Sequence, residues 1–324
     1  MIRLIGNETK GLYSKGIPAR GCSLCYTGAK TVVFVTGECG DSCYYCPVNR
    51  NKLYHDVFYV NEEPVSSIEE LVVEAQRSGA VGASITGGDP LTRLDRTIEV
   101  IRVLKDSMYD SFHIHLYTTG RYATLEVLKV LEKAGLDEIR FHPTLDQFLD
   151  RVKTAVERTS MDVGIEIPVA PRMETWVKNI ILYADNIGAK FVNLNEMEFV
   201  EPNARALMVR GYMESSERPF TVKGSFDTAI RILEWAKNNV SIPVHFCPAS
   251  FKDSIQTKNR LRRTAVNDAS WHETPTDTGT LLYYVEKCTG SDCKLYRIEA
   301  YPTRHRKPVV NEIPVTSSNP TADF

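Results

Sequence analysis

Thr31-Val-Val-Phe-Val-Thr-Gly-Glu-Cys39-Gly-Asp-Ser-Cys43-Tyr-Tyr-Cys46-Pro47 runs from a β-branched, apolar stretch straight into a loop whose cysteines are spaced by three and then two residues. Thr31 to Thr36 reads as a strand, and three thiols so close behind it can converge on one centre. Soft thiolates select iron-sulfur clusters or zinc, and a lone triplet leaves one metal position without a protein ligand. In a catalytic site such a vacancy is where a substrate or cofactor binds. Three plainer readings compete: half of a zinc site, a redox dithiol, or chance spacing.

Outward from this strand the chain repeats one rhythm up to about Cys247: a short β-branched run, a longer segment of helical spacing, then a Gly- or Asn-rich break. Further strands are expected at Gly82 to Thr86, His113 to Thr119, Glu138 to His142, Val163 to Val169, Phe191 to Glu196 and Ile242 to Phe246. Between them Ile68, Leu71, Val72 and Ala75 fall at helical spacing behind a Ser66/Glu69 or Ser67/Glu70 capping box, with Gly79 as the stop. Leu125, Leu128 and Leu131 before Gly135, then Phe148, Val152 and Val156, then Trp176 to Ile187 before Gly188, repeat the pattern. Alternating strands and helices with right-handed crossovers predict an α/β fold, a partial (β/α)6-type parallel barrel with chemistry at the carboxyl ends of its strands. Pro47 to Pro64 is a long connection, and Val266 to Phe324 lacks helical periodicity while showing strand-like runs at Leu281 to Val285 and Leu295 to Tyr301. Three segments are therefore expected: an N-terminal lead with a cysteine pair (1–30), a core barrel (31–250), and a basic helix with a small β-rich C-terminal appendage (251–324), frayed from Thr316 to Phe324.

The stretch resembles the radical S-adenosylmethionine (radical SAM) superfamily, whose CxxxCxxC follows the first strand of a partial barrel, usually with an aromatic residue before the last cysteine; Tyr45 fills that place. A second match lies at the next strand's end, Ile85-Thr86-Gly87-Gly88-Asp89-Pro90, where the family carries a GGE-type motif that grips the SAM amino group. Asp89 departs from the commoner glutamate. The resemblance implies that Cys39, Cys43 and Cys46 hold a 4Fe-4S cluster and that Gly87, Gly88, Asp89, Tyr45 and Thr119 help bind SAM. It further implies reductive cleavage of SAM to a 5'-deoxyadenosyl radical, which abstracts hydrogen from an unknown substrate. By analogy of position Glu166 and Asn195 approach ribose or adenine. The likeness spans Thr31 to about Glu198 and is greatest for archaeal proteins related to the pyruvate formate-lyase activating enzyme. A ferredoxin or flavodoxin is the one-electron donor so implied; RNA and protein both stand as substrates, and no catalytic residue can be named.

The remaining cysteines are Cys22 and Cys25 ahead of the first strand, Cys247, and Cys288 and Cys293 around a predicted hairpin turn. Four thiolates in two pairs suit a second metal site, zinc or an auxiliary iron-sulfur cluster, against a Cys288/Cys293 bridge or unpaired thiols. Cys247 reads as a hydrogen donor, a cluster ligand or a buried thiol. Phe251 to Ala265 reads as a helix with Lys252, Lys258, Arg260, Arg262 and Arg263, and Arg304-His305-Arg306-Lys307 adds a second basic knot, either RNA-contacting or simply solvated. His113 and His115 alternate on one strand face and read as core or pocket residues. Composition is that of an ordinary globular protein, 43% apolar and 25% charged, and a net charge of -2 gives no field that gathers nucleic acid or anionic membrane. Met1 to Lys10 is polar where a signal peptide is apolar, so a cytoplasmic protein without membrane attachment is expected. The alternative from another class is a non-catalytic, cysteine-rich metal-binding module associated with RNA.

Overall fold

The computed structural model describes residues 13–309 apart from 62 and 290, together with 313 and 314. The polar start from Met1 to Lys10 and the tail from Thr316 to Phe324 lie outside the described residues. The main sheet contains β1 (Tyr13–Lys15), β2 (Lys30–Phe34), β3 (Tyr59–Val60), β4 (Glu63–Pro64), β5 (Gly82–Thr86), β6 (His113–Thr118), β7 (Glu138–Phe141), β8 (Asp162–Val169), β9 (Phe191–Glu196) and β10 (Val244–Cys247). Its order is β1-β10-β9-β8-β7-β6-β5-β2-β3-β4. From β2 through β10 the neighbours pair in parallel, while β1 and β3 cover the two ends as antiparallel strands, so the sheet curls without closing. This is the expected partial barrel.

Helices α1 (Arg20–Tyr26), α2 (Ile68–Arg77), α3 (Leu94–Ser107), α4 (Leu125–Ala134), α5 (Leu149–Arg158), α6 (Glu174–Asn186), α7 (Glu201–Val209), α8 (Ser225–Asn239), α9 (Ala249–Phe251) and α10 (Lys258–Asp268) complete the alternation. The first crossover helix starts on the second of the two expected boxes. Glu70 N–H donates to Ser67 Oγ at 3.5 Å, while the Glu70 carboxylate accepts from Ser66 N–H at 3.1 Å. Val33, Ile85, Ile114, Leu116, Ile139 and Ile165 are solvent-free and pack outward against Leu71, Leu104, Leu128 and Leu131 of the helices. The strand periodicity of two sends the alternate residues into the lumen. A second strand-rich unit, with β11 (Thr274–Pro275), β12 (Leu281–Thr289), β13 (Asp292–Ala300) and β14 (Ile313–Pro314), forms the antiparallel sheet β11-β12-β13-β14 at the C-terminal side.

Unlike the outward face, the lower lumen is charged. Lys30, His113, His115, Glu138 and Arg140 are all buried there. Arg140 Nε donates to Glu138 at 2.5 Å, Arg140 Nη1 donates to Glu166 at 2.8 Å, and Lys30 Nζ lies within hydrogen-bond reach of both histidines. Short helix α1 plugs this end. Gly21 N–H donates to Glu138 at 3.3 Å, and a Cβ on Gly21 would collide with the Arg140 guanidinium and the His115 ring. Burial pushes the Glu138 carboxyl up, but the Arg140 guanidinium, His113 and Lys30 together outweigh it and hold the group down at about 2. Burial lowers Lys30 to about 7.

Breaking such a pair leaves an uncompensated buried charge, so Glu138→Gln should destabilise the fold by about 3 kcal/mol at neutral pH. Because Glu138 titrates lower in the folded chain than the usual 4.5, its contribution is complete above pH 4.5 and fades as pH falls toward 2. Urea unfolding across that window should show the gap between wild type and Glu138→Gln narrowing with acid.

Candidate functional site

The cysteine loop leaves β2 and is gripped at three places. At its base, Gly88 N–H donates to Thr36 O and Asp89 N–H to Glu38 O, both at 2.8 Å. These bonds require the chain after β5 to lie directly on the loop, and a Cβ on Gly87 or Gly88 would collide with the Thr36 or Glu38 carbonyl. Midway, Asp41 receives the Arg121 guanidinium at 2.6 and 3.2 Å from the end of β6. At its far end the Tyr45 hydroxyl sits 2.9 Å from His142 Nε2, while His142 Nδ1 sits 3.0 Å from Glu166 O. A carbonyl only accepts, so Nδ1 carries the proton and Nε2 accepts from Tyr45. Asn203, buried on α7, donates to Tyr45 O at 3.0 Å. Tyr54, with a left-handed backbone (φ 64°), donates its N–H to Gly37 O at 2.6 Å and its hydroxyl to Asp41 O at 3.3 Å.

Cys39, Cys43 and Cys46 are half-buried free thiols. Burial pushes all three up, Cys43 to about 11, so each is an uncharged S–H until a cation stabilises its thiolate. Three soft thiols carried close together on one loop are a donor set that suits an iron-sulfur cluster or zinc.

The other expected cofactor-binding groups are differently engaged. Asp89 is fully buried; one oxygen accepts from Leu91 N–H and Thr118 Oγ1, the other from Thr118 Oγ1 and from the N–H and hydroxyl of Thr119, at 2.8 to 3.1 Å. The shorter aspartate therefore caps the turn after β5 and ties it to β6, with Thr119 committed to the same task. Glu166 accepts from Arg140 and Asn193 on one oxygen and from Asn195 on the other. Cys247 ends β10 half-buried, with Gln256 Nε2 donating toward its sulfur at 3.9 Å, and burial pushes its thiol up to about 12.

The four-cysteine second metal site is corrected. Cys288 and Cys293 face each other across the β12–β13 register and form a disulfide at an exposed hairpin tip. Cys22 is buried on α1 in the lumen, where Asn193 Nδ2 donates to its sulfur at 3.2 Å and burial pushes the thiol up to about 12. The two pairs thus belong to different environments, and half of the donors are oxidised. The basic segment is also largely engaged inward: Lys252 pairs with Glu198 at 2.8 Å, Arg263 donates to Gly79 O, and Arg306 pairs with Asp268 and Glu273. The expected helix from Phe251 to Ala265 begins as a π-helical segment, Lys252–Thr257, and only then continues as α10.

A partly open parallel barrel whose first parallel strand delivers a three-thiol loop to the carboxyl end of the sheet defines the radical SAM class. Residues 33–163 match the Radical SAM superfamily. A protein of Methanocaldococcus jannaschii, provisionally named a glycyl-radical enzyme activating enzyme, is 39% identical over 272 residues, 81% of this chain and 72% of that protein. A Pyrococcus horikoshii protein provisionally named GTP 3',8-cyclase is 38% identical over 122 residues, 37% of this chain and 35% of its own length. In fold, Streptococcus suis SuiB bound to precursor peptide SuiA superposes with a TM-score of 0.50 at 11% identity, over 70% of this chain and 51% of SuiB. This chain belongs to the radical SAM superfamily, and it is an enzyme whose reaction class is undetermined. No helix among the described residues is long and apolar enough to cross a membrane.

Gly88→Ala should displace the Glu38 carbonyl, lower stability by about 1–3 kcal/mol and reduce the iron retained per chain after anaerobic reconstitution. Gly188→Ala is the control: its Cβ would meet nothing within 4 Å, though its φ of 77° costs about 1 kcal/mol. It should shift the unfolding midpoint without changing iron content.

Proposed function

We propose that Cys39, Cys43 and Cys46 hold a 4Fe-4S cluster and that the chain reductively cleaves SAM to a 5'-deoxyadenosyl radical for hydrogen abstraction. The observation that carries this is the triad itself: three free thiols on one braced loop that follows the first parallel strand, at the carboxyl ends of the barrel strands. Bound there, the cluster would supply the electron and an open iron position for SAM. The protein's own residues supply position. The Gly87-Gly88 turn fixes the loop's base, Arg121 neutralises Asp41 beside the cysteines, and His142 and Asn203 hold the two polar ends of Tyr45. SAM is assigned to the space between this loop and the β5–β6 ends, with the backbone of Gly87 and Gly88 as its nearest wall. Asp89 and Thr119 act there by holding that wall rather than through free donors.

A protein substrate is favoured over RNA by the name of the M. jannaschii relative and by the inward engagement of Lys252, Arg263 and Arg306. A cytoplasmic setting with ferredoxin or flavodoxin as donor accords with a centre held by free thiols.

Anaerobically reconstituted wild type, incubated with SAM and dithionite, should release 5'-deoxyadenosine, and Cys43→Ala should release none above background. A folded wild type that is colourless, holds only zinc and leaves SAM intact would reject this reading in favour of a metal-binding module.

A further inference from the structure

Beside the cysteine loop the surface is of an unusual kind. Tyr44 lies between Cys43 and Tyr45, its ring 4.8 Å from that of Tyr45 and nearly parallel to that of Tyr212 at 6.5 Å. The Arg210 guanidinium stands 4.4 Å over Tyr44, and that of Arg172 stands 5.6 Å from Tyr212. Arg172 Nη1 also donates to Arg210 O at 2.7 Å. Rings and cations thus run from the residue next to a cluster ligand out to solvent. The same outer edge exposes Met208 (57%), Val209 (78%) and Met213 (61%). Arg205, exposed and three and four residues before Met208 and Val209, puts a third cation on that side of α7. The nearest acid on this helix, Glu201, already pairs with Arg50 at 3.4 Å.

An apolar centre of methionines with a rim of arginines has the composition of a transient protein interface. Its charge calls for an acidic partner, since complementary potentials steer encounter and set orientation. Its place calls for electron transfer, because Tyr44 belongs to the ligand loop and α7 is tied to that loop through Asn203 and Tyr45.

Resting on the radical SAM activity proposed above, we infer that the face formed by Arg172, Arg205, Met208, Val209, Arg210 and Met213 docks an acidic one-electron carrier protein. The carrier loses one electron, and the centre held by Cys39, Cys43 and Cys46 gains it. Large polypeptide substrates are thereby left the other sides of the barrel mouth.

The test uses full-length reconstituted enzyme, with wild type, Val209→Glu, Arg205→Glu and Arg205→Lys compared for iron content, for 5'-deoxyadenosine formation under dithionite, and for the same reaction driven by reduced flavodoxin with its reductase. Flavodoxin affinity is measured separately by calorimetry at low and high salt. Both glutamate variants should keep wild-type iron and dithionite-driven turnover. Each should lose roughly tenfold in flavodoxin affinity and in flavodoxin-driven rate, and Arg205→Lys should retain both. Wild-type binding should weaken as salt rises. The inference is overturned if flavodoxin neither binds nor drives wild type that dithionite activates, or if it drives all four alike. It is equally overturned if the dithionite reaction falls in step, since the face would then be bracing the loop. Absence of 5'-deoxyadenosine from wild type even with dithionite would instead reject the activity reading while the affinity measurement still judges the surface.

Discussion

Arg140 is the constraint around which the lumen is arranged. A guanidinium inside a protein is costly unless its charge is matched, and Arg140 is paired from two strands: Glu138 on its own β7 and Glu166 on β8. Its neighbourhood extends to α1, where Gly21 leaves room for it, and to β6, where Tyr117 lies within 3.2 Å of Nη1. The parallel sheet has apolar contacts outside, through helix packing, and polar contacts inside, through this group. The lower end is filled and plugged, so the space for chemistry lies toward the carboxyl ends of the strands.

The same residue reaches the cysteine loop through a short sequence of contacts. Arg140 holds the Glu166 carboxylate, the Glu166 carbonyl orients His142, and His142 accepts from Tyr45, which sits next to Cys46. Burial lowers His142, which keeps the ring neutral and able to accept that hydrogen bond. From the other side the small cluster of Ala170, Met197, Leu207, Tyr212 and Val222, joined by Tyr44 and Tyr45, packs the loop against α7. The loop is therefore braced between a charged interior and an apolar exterior. Such bracing fixes where the three thiols stand relative to the strand ends.

Strand and helix alternation was legible because period-two and 3.6-residue patterns are local. β5 and β9 occur at the expected bounds, and the glycines after α2, α4 and α6 do end those helices. The cysteine triad was legible for the same reason. What escaped are contacts between residues far apart in sequence: Asn203 with Tyr45, Arg121 with Asp41, and Gly21 with the Arg140 side chain. Asp41 carried a signal, since an acid set among closely spaced cysteines calls for a cation beside it. Asp89 adds another such contact: its side chain reaches the Thr118 and Thr119 donors at the end of β6.

The eight cysteines show how placement alone divides one side chain into several chemistries. Cys288 and Cys293 are directly opposed on antiparallel strands at an exposed tip, a geometry that brings two sulfurs together with no third donor required. Cys22 and Cys247 sit where desolvation penalises a thiolate, and without a cation they stay protonated. The triad lies between these extremes. Its thiols are half-buried, desolvated enough to resist ionisation yet still partly open to solvent. Burial alone keeps them protonated, and a bound cation would stabilise them as thiolates.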